Sequence, residues 1–303
     1  MATNAVVVRP LASVEEFSWL EPLQKRVWGF VDADTVPLHV LVAVAHNGGT
    51  TIGAFDPERH GPDSLVGMTF GFDGHDELGA KHHSHQLGVD PRMRGLGIGA
   101  RLKWAQRDQV LSQGRRRVTW TFDPLMAANA WFNIRTLGGV ASRYIVDVYG
   151  QIRDELNRGL PTDRLVVDWW IDAPRVASRT ERRVGVAPQA AERMPDVLVT
   201  RHQQGRPHRQ VDGWRVPDAN EVRLELPRDL LRLKVDDPEL AVAWRHASRD
   251  ALLHLFAHGY VVDDVLTLDD RPFYILRAGR AEDVEPSGRA RLVDAHDAPL
   301  ADA

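Results

Sequence analysis

Gly88-Val89-Asp90-Pro91-Arg92-Met93-Arg94-Gly95-Leu96-Gly97-Ile98-Gly99-Ala100-Arg101-Leu102 decides how this chain is read. The stretch leaves an expected strand at Val89 and opens an expected helix. Glycines alternate at 95, 97 and 99, and Arg94 leads them. Glycine lets backbone N–H groups approach a ligand without interference from a Cβ. The start of a helix adds unpaired donors and the positive end of a dipole. Together these features suit a pyrophosphate.

Two kinds of phosphate ligand compete for such a turn. Gly95, Gly97 and Ala100 fit the dinucleotide pattern G-x-G-x-x-A, and Asp123 after the next strand would then hold a ribose hydroxyl. That pattern needs its turn directly after a strand, within alternating β-α-β units. Here Asp90 to Arg94 intervene. The preceding runs, Thr50 to Phe55, Ser64 to Phe72 and His82 to Val89, read as an antiparallel meander. Asp56-Pro57 and Asp73-Gly74 supply its turns.

The elements around the turn complete the order. Ala5 to Arg9 is β-like. Ser13-Val14-Glu15-Glu16 starts a capped helix running to Val27 or Trp28. Val36 to Ala45 is a second helix. The helix after the glycines reaches about Ser112, and Arg117 to Phe122 is a strand rich in β-branched and aromatic residues. Pro124 to Leu137 is helical, closed by Gly138-Gly139. Val140 to Tyr149 and Arg164 to Ile171 are strands.

With this order on the page, Arg94, Gly97 and Gly99 match motif A of the GNAT superfamily of acyl-CoA-dependent N-acyltransferases: Gln or Arg, two residues, Gly, one residue, then Gly or Ala. Residues 5–172 resemble that family in motif and in element order. Ser84 to Val89, Trp120 to Leu125, Asn129 to Asn133 and Asp163 to Leu165 resemble a group of long members. So does the unit around Trp244-Arg245. That group includes amino-acid N-succinyltransferases.

The resemblance implies a mixed α/β sheet of six or seven strands flanked by helices, with its fourth and fifth strands parallel and splayed. It implies acetyl-CoA or succinyl-CoA as co-substrate rather than a permanently bound cofactor, and a small primary amine such as an amino acid as acceptor. Leu87 and Val89 would offer backbone groups to the pantetheine arm. The N–H groups of Gly95, Gly97, Ile98 and Gly99, with Arg94 beside them, would surround the pyrophosphate. Asn129 stands where the family often has a CoA-contacting asparagine. Ile134 stands where it commonly has a tyrosine general acid. A CoA-binding sensor or scaffold without turnover is the alternative reading.

Catalysis needs a base for the amine proton and benefits from an acid for the departing thiolate. His82, His83 and His85 lie on the fourth strand, and imidazole titrates in the useful range. Strand alternation puts His83 and His85 on one face. His85, nearer the glycines, is the preferred base, with His83 beside it. Tyr144 or Tyr149 could replace the missing tyrosine. A metal reading of Lys81-His82-His83-Ser84-His85 finds no matching ligand spacing elsewhere.

Composition excludes other classes. The 303 residues are 43% hydrophobic and 26% charged, with net charge −4, so no basic field directs the chain to nucleic acid or membrane. Arg115 to Arg117 and Arg206 to Arg209 lack the interleaved aromatics of a nucleic-acid surface. No apolar run of about 18 residues occurs, and Met1 to Pro10 shows no secretory signal. Absence of cysteine removes disulfides and thiolate chemistry and is compatible with a cytoplasmic protein.

The texture changes near 173. The expected organisation is an acyl-CoA-binding domain over 1–173, a Pro-, Gly- and Arg-rich linker over 174–220, a smaller α+β unit over 221–278 and a mobile tail over 279–303. Leu240, Trp244, Ala247, Ala251 and Leu255 form one helical stripe. Val261 to Leu268 and Pro272 to Leu276 form a hairpin around Asp269-Asp270. The stripe should pack on the sheet near Val140 to Tyr149 and wall the acceptor side; a structural or homodimer-forming role is the alternative.

Overall fold

The computed structural model describes residues 6–150, 159–180 and 185–279. Two compact units divide the chain between Trp120 and Thr121. The first unit runs β1 (Val7–Pro10), α1 (Val14–Ser18), α2 (Leu20–Trp28), α3 (Leu38–His46), β2 (Thr50–Phe55), β3 (Leu65–Asp76), β4 (Gly79–Val89), α4 (Ile98–Ser112) and the start of β5 (Arg117–Phe122). β1 to β4 pair antiparallel in chain order, and β5 pairs parallel with β4. The parallel step follows from α4, a crossover that returns the chain to the beginning of β4.

Strand alternation, interrupted by a bulge at Val66 where the β2–β3 register shifts, sorts this unit into layers. Ile52, Ala54 and Val66 face Ile98 and Leu102 of α4. Phe55, Leu65, Met68 and Phe70 face Phe17, Leu20, Leu23 and Leu41 of α1 to α3. Both faces of the sheet are therefore covered, and β2 is buried along its length.

The single helix expected from Ser13 to Trp28 is two. Pro22 has no N–H for the Ser18 carbonyl, and its ring would strike that carbonyl in a continuous helix. The chain breaks at Trp19, and Pro22 falls in the first turn of α2. The meander turn expected at Asp73-Gly74 lies further on. Asp73 and Gly74 pair with His82 and Lys81 inside the ladder. The reversal falls at Glu77-Leu78, where Asp76 Oδ1 accepts from the Leu78 N–H at 3.0 Å and Gly79 takes a φ of 97°.

The second unit continues with α5 (Ala127–Ala130), a π-helical turn over Trp131–Thr136, β6 (Val140–Ile145), β7 (Arg164–Trp170), α6 (Pro174–Thr180), α7 (Pro188–Glu192), β8 (Leu198–Arg201), β9 (Gln210–Trp214), β10 (Glu221–Glu225), α8 (Leu230–Asp236), α9 (Pro238–Ala257), β11 (Tyr260–Leu268) and β12 (Arg271–Ala278). β7, β6, β11, β12 and β10 are neighbours in that order, all antiparallel. The β11–β12 hairpin turns on Asp269 and Asp270 with φ of 46° and 64°, as a two-residue turn of the primed type requires.

The stretch 174–220, read from sequence as a linker, holds α6, α7 and the β8–β9 hairpin. Its polar texture misleads because arginines there are ion-paired: Arg201 with Asp212, Arg209 with Glu225. The tail expected over 279–303 lies, from residue 280, outside the described residues. The strand expected over Val140 to Tyr149 ends at Ile145, because Asp147 takes a φ of 46° and turns the chain.

α9 does pack on β6. Leu240, Trp244, Ala251 and Leu255 are buried. Trp244 donates its indole N–H to the Arg209 carbonyl at 3.1 Å. Arg245 Nη2 donates to Asp123 Oδ2 at 2.6 Å. Arg249 makes a two-pronged contact with the fully buried Asp163 at 2.7 and 2.8 Å. Among the described residues no helix is long and apolar enough to cross a membrane.

Candidate functional site

The glycine turn has the geometry its sequence demands. Asp90 caps a short 3-10 turn over Pro91–Met93 by accepting from the Arg92 N–H, and the Arg92 guanidinium pairs with the same carboxylate. Gly95 and Gly97 follow with φ of 77° and 75°, in the left-handed region that disfavours any Cβ. Gly97 is the N-cap of α4 and supplies no side chain to cap it. The first backbone bond of the helix runs from Arg101 N–H to Gly97 C=O, 3.1 Å. The N–H groups of Ile98, Gly99 and Ala100 therefore point out of the helix start without an intrahelical acceptor. Ile98 anchors the turn by burying its side chain against Ile52 and Val66. The Arg94 guanidinium folds back, with Nη2 donating to the Val27 carbonyl at 3.2 Å and Nε to that of Val89 at 3.4 Å.

The β4–β5 junction opens next to this turn. Among the described residues their parallel ladder has two rungs, His82 with Val118 and His83 with Thr119. β4 then runs on to Val89. Pairing with β3 shifts between Phe70 and Gly71 so that His85 is left over, the extra residue of a bulge. A bulge bends and twists its strand, here just past the last rung. The Asp90 N–H donates to Val66 on β3. By alternation the N–H groups of Gly88 and Gln86 face the same way. The amides of Leu87 and Val89 are thus on the opposite edge, toward the opening.

The three histidines separate by face. His83 and His85 share one face with Phe70 and Phe72, ring centroids 5.4 to 6.2 Å apart. His83 Nδ1 lies 3.4 Å from Thr119 Oγ1 on β5. Burial, then the neighbouring His85 and Lys81, push the His83 pKa down to about 4. Burial also lowers that of His85. Both rings are held toward the neutral form, and the larger shift leaves His83 the weaker base of the two.

His82 faces α4 and is fully buried. Its Nδ1 is 3.0 Å from Asp73 Oδ1 and its Nε2 2.9 Å from Thr50 Oγ1. Gln106 donates to the same threonine at 2.9 Å and accepts from Lys103 Nζ at 2.8 Å. Lys103 also donates to Ser84 at 2.9 Å and lies 3.9 Å from the centre of the Trp120 ring. Burial pushes its pKa well below the ordinary lysine value. The sequence reading missed this network. Its signal was a lysine and a glutamine, 103 and 106, in the apolar spacing of Ile98, Leu102 and Val110.

Asn129 and Tyr149 belong to the second unit. Asn129 is exposed on α5. Tyr149 is half-exposed in the turn after β6, its N–H bonded to Thr162 Oγ1 at 2.9 Å and its ring under Arg164. Tyr144 is a poor acid. Its hydroxyl donates to the buried Asp163 at 2.6 Å, and burial and that carboxylate push its pKa up. Ile134, which the resemblance puts in the tyrosine position, is fully buried in the π-helical turn.

Strand order, the parallel β4–β5 junction and the glycine turn give this chain a GNAT-like mixed sheet flanked by helices. The chain is similar to a NatC complex bound to Gag peptide and CoA, at 18% identity, over 54% of this chain and 96% of that one, TM-score 0.42. It is similar to a GNAT-family protein from Desulfovibrio desulfuricans at 16% identity, over 55% and 99%, TM-score 0.43. It is also similar to a GNAT family acetyltransferase from Elizabethkingia anophelis with acetyl-CoA bound, at 10% identity, over 55% and 99%, TM-score 0.39. No model of a protein family and no curated protein matches the chain.

Proposed function

We propose that this protein transfers an acyl group from acetyl-CoA or succinyl-CoA to the primary amine of a small molecule such as an amino acid. The observation that carries the reading is the β4–β5 ladder, which stops after His83 and Thr119 next to a helix start with free N–H groups. A strand-like pantetheine arm would bond to Leu87 and Val89 in that opening. Its pyrophosphate would meet the N–H groups of the turn from Gly95 through Gly97, Ile98 and Gly99, and Arg94 would swing from Val27 and Val89 to join it.

The neutral amine nitrogen attacks the thioester carbonyl, the C–S bond breaks, and CoA leaves as thiolate. His85, at the bulge, receives the amine proton, with His83 as the second candidate. A thiolate leaves readily without a dedicated acid. Tyr149 as acid and Asn129 as a CoA contact rest on the resemblance, and Y149F and N129A test them.

One observation favours the second reading, a CoA-binding sensor. The Tyr144 hydroxyl is engaged by Asp163, and by the resemblance Ile134 stands where the family commonly has its acid. Calorimetry with CoA, followed by release of free thiol from acetyl-CoA and succinyl-CoA over a panel of amino acids, separates the cases. Binding with amine-dependent thiol release supports the transferase. Binding without release with any amine supports the sensor. Absence of CoA binding at millimolar concentration overturns both.

A further inference from the structure

A cationic cavity lies wholly within the second unit. Its volume is about 300 Å³, it opens to solvent, and it is lined by Arg175, Ser178 and Arg179 of α6, Gly185 and Val186, Asp263 and Asp264 of β11, and Arg277 of β12. Arg135 reaches Asp264 from the π-helical turn, with Nη1 3.0 Å from Oδ2.

Each aspartate already accepts from arginine or backbone donors. Asp263 Oδ2 accepts from Arg277 Nη1 at 2.6 Å, and Arg175 donates to the Asp263 carbonyl. Asp264 accepts from Arg135 and from the Val186 and Val265 N–H groups. At the rim, Arg277 also pairs with the half-exposed Glu221 at 2.7 Å. Among the described residues, counting that glutamate, these four arginines face three carboxylates.

Arg179 is the guanidinium left over. Its side chain is 8% exposed, and its ion pair is a 4.0 Å approach to Asp264 Oδ1. Among the described residues its buried Nε has no hydrogen-bond partner. A buried guanidinium with unmet donors is costly. The surroundings show the same imbalance. Burial, with Arg179 and Arg277 adding repulsion against Asp263 and Asp264, lowers the Arg175 pKa to about 10. Burial, with Arg135 adding to it, lowers that of Arg179.

We propose that this cavity binds a small molecule through an oxyanion group, phosphate or carboxylate, gripped by Arg179 with Arg175 and Arg277 beside it. Guanidinium forks match both oxyanions bidentately. The cavity volume suits a compact metabolite rather than a nucleotide, since pockets for drug-sized ligands span about 300–1,000 Å³. The site is independent of the glycine turn and of the transferase reading.

The test is calorimetry on the full chain with inorganic phosphate and, separately, succinate. The probes are run on the unaltered protein, on Arg179→Gln and on Gly97→Glu, which disables the glycine turn. At least one anion should bind the unaltered protein at millimolar concentration or tighter, and Gly97→Glu should retain that binding. Arg179→Gln should weaken it about tenfold or more. If Arg179→Gln does not fold, Arg179→Lys, which keeps the charge and loses the fork, should weaken binding by a smaller factor. The proposal is overturned if neither anion binds, if binding disappears in Gly97→Glu, or if the Arg179 variant that folds binds as the unaltered protein does. The stronger probe tells which oxyanion source the site prefers.

Discussion

The sharpest perturbation of the glycine turn is Gly97→Glu measured beside Gly97→Ala. Both variants must hold a side-chain residue at φ 75°, which costs about 1–2 kcal/mol of folding stability. No heavy atom lies within 4 Å of a Cβ built on Gly97, so the folding penalty stays close to that backbone cost. In a unit of this size about 1 kcal/mol lowers Tm by roughly 4 °C. The variants diverge on the ligand. A glutamate carboxylate about 6 Å from a pyrophosphate charge, at an effective dielectric of about 20 to 80, repels it by about 0.7–3 kcal/mol. Calorimetry should therefore show CoA affinity about three- to a hundredfold weaker in Gly97→Glu than in Gly97→Ala. Added salt should narrow the gap, because the repulsion is exposed to screening. Equal losses in the two variants at every salt concentration would refute electrostatic recognition of a phosphate here.

Other consequences follow from the same geometry. The pKa of His83 falls from 6.5 to about 4 on folding, so between those values the unfolded chain binds more protons and stability declines as pH falls. Thermal melts of His83→Gln should lose that part of the decline; an unchanged pH profile would contradict the burial of His83. Arg249→Ala leaves the fully buried Asp163 short of its partner and should cost about 3–5 kcal/mol in denaturant unfolding; a loss under about 1 kcal/mol, the value of a surface pair, would show that Asp163 is not sealed from water. A fragment ending at Ala173 loses α9 with Trp244, Arg245 and Arg249, exposing the face of β6 they cover. It should aggregate or melt far below the full chain, and a cooperative, soluble fragment of native Tm would refute this. His85→Ala should lower the rate of amine-dependent thiol release while leaving CoA affinity within about threefold, since a base acts on the reaction rather than on donor binding; an unchanged rate would move the base to another residue.

Much of the first unit was legible because its cues are local. Turn glycines, the Asp90 cap and β-branched runs fix backbone conformation within a few residues. β2 and β5 accordingly fall where the spacing put them, Thr50–Phe55 and Arg117–Phe122. The hairpin at Asp269-Asp270 and the buried stripe from Leu240 to Leu255 were legible for the same reason. Two further cues are equally local: Pro22, which splits the first helix, and Asp76, which caps the β3–β4 turn.

Only the tertiary structure decided what depends on partners distant in sequence. The polar stretch 174–220 reads as a linker until its arginines find Asp212, Glu225, Asp263 and Asp264. The histidines of β4 read alike, yet pleating and the bulge at His85 send His82 into the network with Asp73 and Thr50 and leave His83 and His85 by the opening. Tyr144 looks like an available acid until the fold buries it on Asp163. Sequence fixes backbone preference through nearest neighbours, whereas burial, ion pairing and proton affinity are set by groups that folding brings together from tens of residues away.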